Sequence, residues 1–383
     1  MAKLGDFFTI ASGGTPDKRN PSYYENGTIP WVKTGDLKNQ YVPAGIECIT
    51  EEGLNNSSAK LFPPNTVLVA MYGATIGACS ILTYEAATNQ ACAAFLPNKN
   101  VLPTYLYYFL SSKREQFVKD GVGGAQPNIS AGYLKNVQFG LIPMQQQIDI
   151  VEKLDKVEKL IVLRKEQLAK LDQLVKSRFI ELFGDPVQNP FKWDTKPLLE
   201  MGYCKNGMNF HTGDSGIEMH CLGVGDFKDY SVIDGTDHLP TISLNETPPA
   251  ESMLQNGDIV FVRSNGNKAL VGRCLVVYSH DTPTTYSGFC IRYRLTSDEV
   301  KTAYLLRVLK TESIRKKMAG RGANIQNLNQ QILASLDIPI PPMEIQEQFT
   351  SFVKQTDKSK LAIQRSLNKL ELLKKALMQE YFG

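Results

Sequence analysis

Arg263-Ser264-Asn265-Gly266-Asn267-Lys268 places a guanidinium, a hydroxyl, two carboxamides and an amine around one glycine. Arg and Asn can grip a base edge through two hydrogen bonds at once, and Lys supplies a point charge for a phosphate. The run follows 258–262, Asp-Ile-Val-Phe-Val, a strongly β-forming stretch that would hold a loop out from a sheet. Its other reading is an ordinary hairpin loop. Tyr72 and Thr75 take the corresponding place earlier in the chain, where turn and core packing are the competing reading. Loop 15–25 carries Lys18, Arg19, Asn20, Tyr23 and Tyr24, and Lys33, Thr34 and Lys38 follow the next strand. These types suit phosphate and base contacts and equally suit a solvated surface loop.

Other chemistry is poorly represented. Asn20-Pro21-Ser22-Tyr23 is close to the Asn-Pro-Pro-Tyr motif with which amino-methyltransferases hold an adenine amino group. It lacks the second proline, and only 19 residues precede it, too few for a cofactor domain with a glycine-rich loop. The phosphate-loop pattern Gly-x-x-x-x-Gly-Lys-Ser/Thr is missing, so no phosphate loop is expected. The seven cysteines, Cys48, Cys79, Cys92, Cys204, Cys221, Cys274 and Cys290, form no Cys-x-x-Cys pair, and the four histidines are isolated. Reduced thiols in a cytoplasmic protein and no zinc site are expected. No apolar run approaches the ~18 residues of a membrane span. The net charge of +3 permits nucleic-acid binding without arguing for it.

Loops of this kind need rigid elements to position them. In 145–184, apolar residues fall at alternating steps of three and four: Leu154, Val157, Ile161, Leu168, Leu171, Val175 and Leu182, with Arg164 and Arg178 interrupting. That is a heptad seam on a helix of about 38 residues, roughly 57 Å at ~1.5 Å per residue. The stretch returns 199 positions later as 344–383, keeping Val353, Ile363, Leu367, Leu370, Leu377 and Tyr381 in register. Thr356, Lys360 and Lys374 are polar there, so a looser seam is expected. Two such helices, each apolar along one side, should form an interface with each other.

The repeat extends beyond the helices. At the offset of 199, Tyr105-Leu106 matches Tyr304-Leu305, Asn128-Ile129 matches Asn327-Leu328, and Pro143-Met144 matches Pro342-Met343. Upstream the offset slips: Gly35-Asp36-Leu37 matches Gly225-Asp226-Phe227 at 190, and 4–13 matches 198–207 at 194. A period this long excludes a solenoid and indicates a duplicated module. The expected organisation is globular 1–142, long helix 143–184, globular 185–340 and long helix 341–383, in an α+β fold. Strands are expected at 66–70, 79–84 and 258–262, with one helix per globular part at 104–119 and 302–318, basic toward its end as suits the helix dipole. The stretches 121–130 and 320–329 read as connectors under the helix ends that could contact a partner.

Taken together, the sequence resembles the specificity subunits of type I restriction–modification systems. The resemblance rests on two recognition-like units, each followed by a Pro-x-x-x-Gln segment (Pro143 with Gln147, Pro342 with Gln346) and a long helix ending in Phe-Gly. Ser12-Gly13-Gly14-Thr15-Pro16, Ile29-Pro30-Trp31-Val32 and Tyr72-Gly73-Ala74-Thr75-Ile76-Gly77 add to it. The second unit departs, with Cys221-Leu222-Gly223 where the first has Trp31-Val32-Lys33. The resemblance implies a non-catalytic subunit whose two target-recognition domains, of mixed α/β structure, each read half of a bipartite gapped site in double-stranded DNA. It implies helices packed as an antiparallel coiled-coil spacer with pseudo-two-fold symmetry. Two modification subunits would dock on it and methylate adenine N6 with S-adenosylmethionine, and restriction subunits would add ATP- and Mg-dependent steps. No cofactor is expected on this chain. A coiled-coil scaffold with two protein-binding heads is the competing reading.

Overall fold

Val67, Leu68, Val69 and Ala70 are all shut off from solvent, and this apolar run is an inner strand. In a computed structural model, the described residues are 2–121, 128–210, 213–227, 231–319 and 327–383. They fall into two compact units: Met1–Glu166 with Gln364–Gly383, and Gln167–Ile363.

In the first unit, Val67–Ala70 lies in an antiparallel sheet ordered Ile10–Ser12, Cys92–Phe95, Val67–Ala70, Cys79–Ile81. A second sheet is ordered Cys48–Ile49, Ile29–Val32, Ala86–Thr88, Leu61–Phe62, with its central pair parallel at Trp31↔Ala87. Ala2–Lys3 pairs with Gln138–Phe139 to close the base. The second unit repeats this plan. Gly202–Asn206, Cys290–Leu295, Asp258–Val262 and Cys274–Tyr278 lie in the same order, extended by Val232–Asp234. Thr241–Leu244, Ile217–Leu222 and Thr284–Tyr286 form the other sheet, again with a parallel pair at Cys221↔Thr285. Thr195–Pro197 pairs with Asp337–Pro339 at the base. The strand expected at 79–84 stops at Ile81, and the one at 66–70 starts at Val67.

The single helix expected in each globular part is two. Pro103–Ser112 gives way at Lys113 to Arg114–Asp120, and Thr302–Leu309 gives way at Lys310 to Glu312–Ala319. Hydroxyls at each break bond the carbonyl three residues back, Ser112 to Phe109 and Thr311 to Val308, both at 2.7 Å. Such local bonds compete with helix continuation.

The two long helices are Met144–Phe183 and Met343–Phe382, each of 40 residues. Gly184, at φ +67°, ends the first, and a Cβ there would meet Pro190 Cγ at 2.3 Å. Within the first unit, 144–166 and 364–382 run antiparallel: Lys165 pairs with Glu371 at 3.2 Å and Lys374 with Glu158. Within the second, 167–183 and 343–363 do the same, with Lys360 bonded to Asp172 at 2.6 Å. The polar positions of the second seam find polar partners. Lys360 and Lys374 reach carboxylates on the facing helix, and buried Thr356 bonds its own Phe352 carbonyl at 2.9 Å. Leu154, Val157, Ile161, Val175 and Leu367 are buried, while Leu168, Leu171, Ile363, Leu370 and Leu377 are half-buried. Arg178 pairs along its own helix with Glu181 at 2.7 Å.

The Phe-Gly ends serve as aromatic plugs. Phe382 sits 5.3 Å from Tyr105 and 6.1 Å from Phe109 in the core of the first unit. Phe183 sits 4.7 Å from Tyr304 and 5.4 Å from Phe349 in the core of the second.

Candidate nucleic-acid interface

Loop 15–25 springs from a backbone clamp. A Cβ on Gly13 would lie 1.9 Å from Thr88 O, and one on Gly14 2.2 Å from Ser58 Oγ, so only glycine fits at both. Trp31 Nε1 donates to Gly14 O at 3.0 Å, Tyr24 OH to Pro16 O at 2.7 Å, and Thr50 N to Tyr23 O at 2.9 Å. With its base pinned, the loop presents Lys18 and Arg19 outward. Arg19 is 91% exposed and folds onto Asp17 at 2.8 Å, and its hydrogen bonds hold the Asp17 carboxyl down at about 2. Asn20 is committed to shape: its Oδ1 caps the turn Pro21–Tyr23.

Lys33 lies beside this loop. Its amine is ion-paired with Glu47, which raises its pKa, and sits 5.8 Å from the Trp31 ring, against which Tyr24 packs edge-on. Thr34 opens the next turn and Lys38 is exposed. Lys18, Arg19, Asn20 and Tyr23 thus lie in the loop that leads into Ile29–Val32, and Lys33 and Thr34 directly follow that strand. Tyr72 and Thr75 stand on the other sheet, in the connection from Val67–Ala70 to Cys79–Ile81. Tyr72 is 44% exposed, bridged to Asn128, and its carbonyl accepts from Thr75 Oγ1 at 3.2 Å.

In the second unit, 263–273 makes the equivalent connection, from Asp258–Val262 to Cys274–Tyr278. Arg263 is tied into the fold: Nη1 donates to Gly288 O at 3.3 Å, its N–H to Phe289 O at 2.8 Å, and its carbonyl accepts from Leu328 N at 2.8 Å. In the first unit, Ile129 N likewise donates to Met71 O at 3.0 Å. Asn265 Oδ1 accepts from Asn267 N at 2.7 Å, and Asn267 Oδ1 caps Lys268–Leu270. Ser264 N donates to Phe289 O at 3.3 Å, while Asn267 and Lys268 are exposed. The glycine clamp recurs: a Cβ on Gly207 would meet Ser287 O at 2.0 Å. Sequence reasoning missed Phe289, 61% exposed beside Arg263. The Ser287-Gly288-Phe289 turn was its only signal. Of the connectors 121–130 and 320–329, residues 122–127 and 320–326 lie outside the described residues.

Among the described residues no His/Cys/Asp/Glu group could hold a metal, and no helix is long and apolar enough to cross a membrane. What recurs is a two-sheet scaffold that pins loops of differing content at equivalent places and joins each to a long helix.

The family model for the type I restriction modification DNA specificity domain matches residues 1–173 and 229–372, and the chain belongs to this family. It is 24% identical to the type I restriction enzyme MjaIX specificity subunit of Methanocaldococcus jannaschii, covering 99% of this chain and 91% of that one. It is 23% identical to the StySPI specificity subunit of Salmonella potsdam, over 100% and 88% of the two chains. In fold it is similar to the type I restriction–modification S subunit of M. genitalium, with a TM-score of 0.56 at 14% identity and 100% and 95% coverage. A chain from a structural study of type I system assembly and conformational transition gives 0.60 at 17% identity, with 100% and 96% coverage.

Proposed function

We propose that the globular part of each unit reads one half of a bipartite, gapped site in double-stranded DNA, and that the paired long helices set the gap. The observation that carries this is the contrast between fixed scaffold and variable loops. Gly13 and Gly207 make the same close approach, and the loops at equivalent places carry Tyr72 and Thr75 in one unit and Arg263, Ser264, Asn265, Asn267 and Lys268 in the other. Two copies of one reader that recognise different sequences would differ in this way. Lys18, Arg19, Lys33 and Lys38 would seat phosphates and fix register, while Asn265, Arg263 and Phe289 would face bases. Asn20, Thr34, Tyr23, Tyr72 and Thr75 would complete the same surfaces.

Half-sites on one face of B-DNA lie ~10 bp apart centre to centre, which leaves a gap of about 5 to 8 bp. The chain would do no chemistry itself and bind no cofactor. Two modification subunits docked on the helices would methylate adenine N6 with S-adenosylmethionine, and restriction subunits would bring ATP and Mg. The setting would be the cytoplasm.

The test is a methylation map of DNA from cells co-expressing this chain with its neighbouring modification subunit. A gapped motif methylated at adenine on both strands, and lost without this chain, is expected. Unchanged methylation with a demonstrably active partner would sink the recognition role and favour a scaffold with protein-binding heads.

A further inference from the structure

A cavity of about 680 Å³ lies wholly within the second unit. Five cations line it: Lys176 on the first long helix, Arg273 closing the 263–273 connection, Arg307 and Lys310 at the end of Thr302–Leu309, and Arg315 on Glu312–Ala319. Among the described residues two carboxylates share the walls, and both are turned to other partners. Asp185 Oδ1 accepts from Val187 N and Gln188 N at 2.9 and 3.1 Å, and Glu312 pairs with Lys316 at 2.7 Å. Asp172, whose charge acts on Arg307 and Lys310, is held by Lys360 at 2.6 Å.

Arg307 points most directly to a ligand. Its Nη2 is closed off from solvent and has no hydrogen-bond partner among the described residues. A shielded guanidinium N–H without an acceptor is costly, so an acceptor brought from outside would be well rewarded. Lys310 has a neutral partner, Ser231 Oγ at 2.7 Å, and among the described residues Arg315 reaches only the Val271 carbonyl, at 3.2 Å. Burial pushes Arg307, Lys310 and Arg315 below their ordinary pKa values, and Arg273 pushes Lys310 and Arg315 further in the same direction. Part of this charge is particular to this unit, although Lys176 falls on Lys375 at the offset of 199. At the offset of 199, Arg307 and Lys310 fall on Tyr108 and Ser111, and Tyr108 donates to Asp155 at 2.6 Å.

Several convergent cations beside an unfilled donor fit a compact, multiply charged oxyanion better than a single carboxylate, and Arg matches phosphate oxygens in pairs. We propose that this cavity is a phosphoryl-anion site, taking a group with two or more negative charges from a phosphorylated small molecule or from a nucleic-acid backbone. The site stands on the cavity alone and holds whether or not the chain reads DNA.

The test uses the full chain and inorganic pyrophosphate. Lysine acetylation is followed by mass spectrometry with chloride of equal ionic strength as control, alongside thermal melting. Pyrophosphate is expected to slow acetylation of Lys310 and Lys176 several-fold, leave exposed Lys60 and Lys99 unchanged, and raise Tm. In the double variant Lys310→Met, Arg315→Gln, the Tm rise should vanish. Duplex DNA in place of pyrophosphate separates the sources. Protection of Lys310 by duplex assigns the backbone, and protection by pyrophosphate alone assigns a free phosphorylated molecule. No protection of Lys310 in the native chain overturns the site, whether or not the variant folds. An equal Tm rise in a folded variant overturns it too.

Discussion

Gln147 and Gln346, 199 residues apart in sequence and both fully buried, make the same three hydrogen bonds in their own units. Gln147 Oε1 accepts from Leu102 N at 2.9 Å, and its Nε2 donates to Asn100 O and Ile142 O at 2.9 and 3.0 Å. Gln346 accepts from Lys301 N at 2.8 Å and donates to Glu299 O and Pro341 O at 2.9 and 2.8 Å. Each glutamine stitches a long helix to the loop before the first short helix and to its own lead-in. Gln147→Ala or Gln346→Ala takes the amide partner from three backbone groups, most of them part-buried, and a loss of about 3 kcal/mol is expected. Urea unfolding measures it. A change under ~0.5 kcal/mol would mean that water replaces the amide without penalty.

The aromatic plugs should act locally. Phe382→Ala is expected to cost about 3 to 5 kcal/mol, as should Phe183→Ala. Hydrogen exchange tells them apart. Phe382→Ala should speed exchange around Tyr105 and Phe109, and Phe183→Ala around Tyr304. Exchange rising equally in both units in either variant would contradict separate cores.

The duplication is legible because a repeat leaves its offset in the chain wherever loops have not been rebuilt. The heptads expose the long helices because a two-helix seam needs apolar side chains every three or four residues. The helix breaks at Lys113 and Lys310 were not legible. Ser112 and Thr311 are compatible with a helix until their hydroxyls turn back on a carbonyl. Asn20 and Asn267 read as base-contacting residues, yet each also caps a turn. The basic residues after Thr302–Leu309 read as a helix-dipole complement, and only packing shows that Arg307, Lys310 and Arg315 converge on one cavity. The Pro-x-x-x-Gln segment was visible, but the partners of its glutamine depend on contacts 45 residues away.

Burial sets the thiols apart. It pushes Cys79, Cys92, Cys204, Cys221 and Cys290 up from 9.0 to about 12, and Cys274 to about 11. Cys48 and Cys204 are both half-exposed, and of these two it is Cys204 whose thiol is held up at about 12. One fast-reacting thiol in the folded chain at pH 8 and seven after denaturation are expected with a thiol reagent. A folded-state pKa raised above the unfolded value favours folding at low pH. This contribution is complete below 9.0 and drains away as pH climbs toward about 12. Denaturant midpoints should therefore fall in that window.

The long helices leave apolar side chains in water. In the first unit Leu163 and Leu372 are 44% and 68% exposed, near Leu160, Val162 and Leu373. Leu163→Glu with Leu372→Glu should alter stability by less than about 0.5 kcal/mol per site. If modification subunits dock there, the variant should lose co-purification with them while melting like the parent. Retained co-purification would move the docking surface elsewhere.

The chain order of the two units has a consequence for synthesis on the ribosome. The second unit is one continuous stretch, 167–363, and its plug Phe183 emerges before the sheets that receive it. The first unit is split, and its aromatic core around Tyr105 and Phe109 is completed only by 364–383. A nascent chain must therefore carry an unfinished hydrophobic pocket through nearly 200 further residues of translation, at 5–20 residues per second on the order of 10 to 40 seconds. Chaperone demand and sensitivity to stalled translation should concentrate on the half that is made first and finished last.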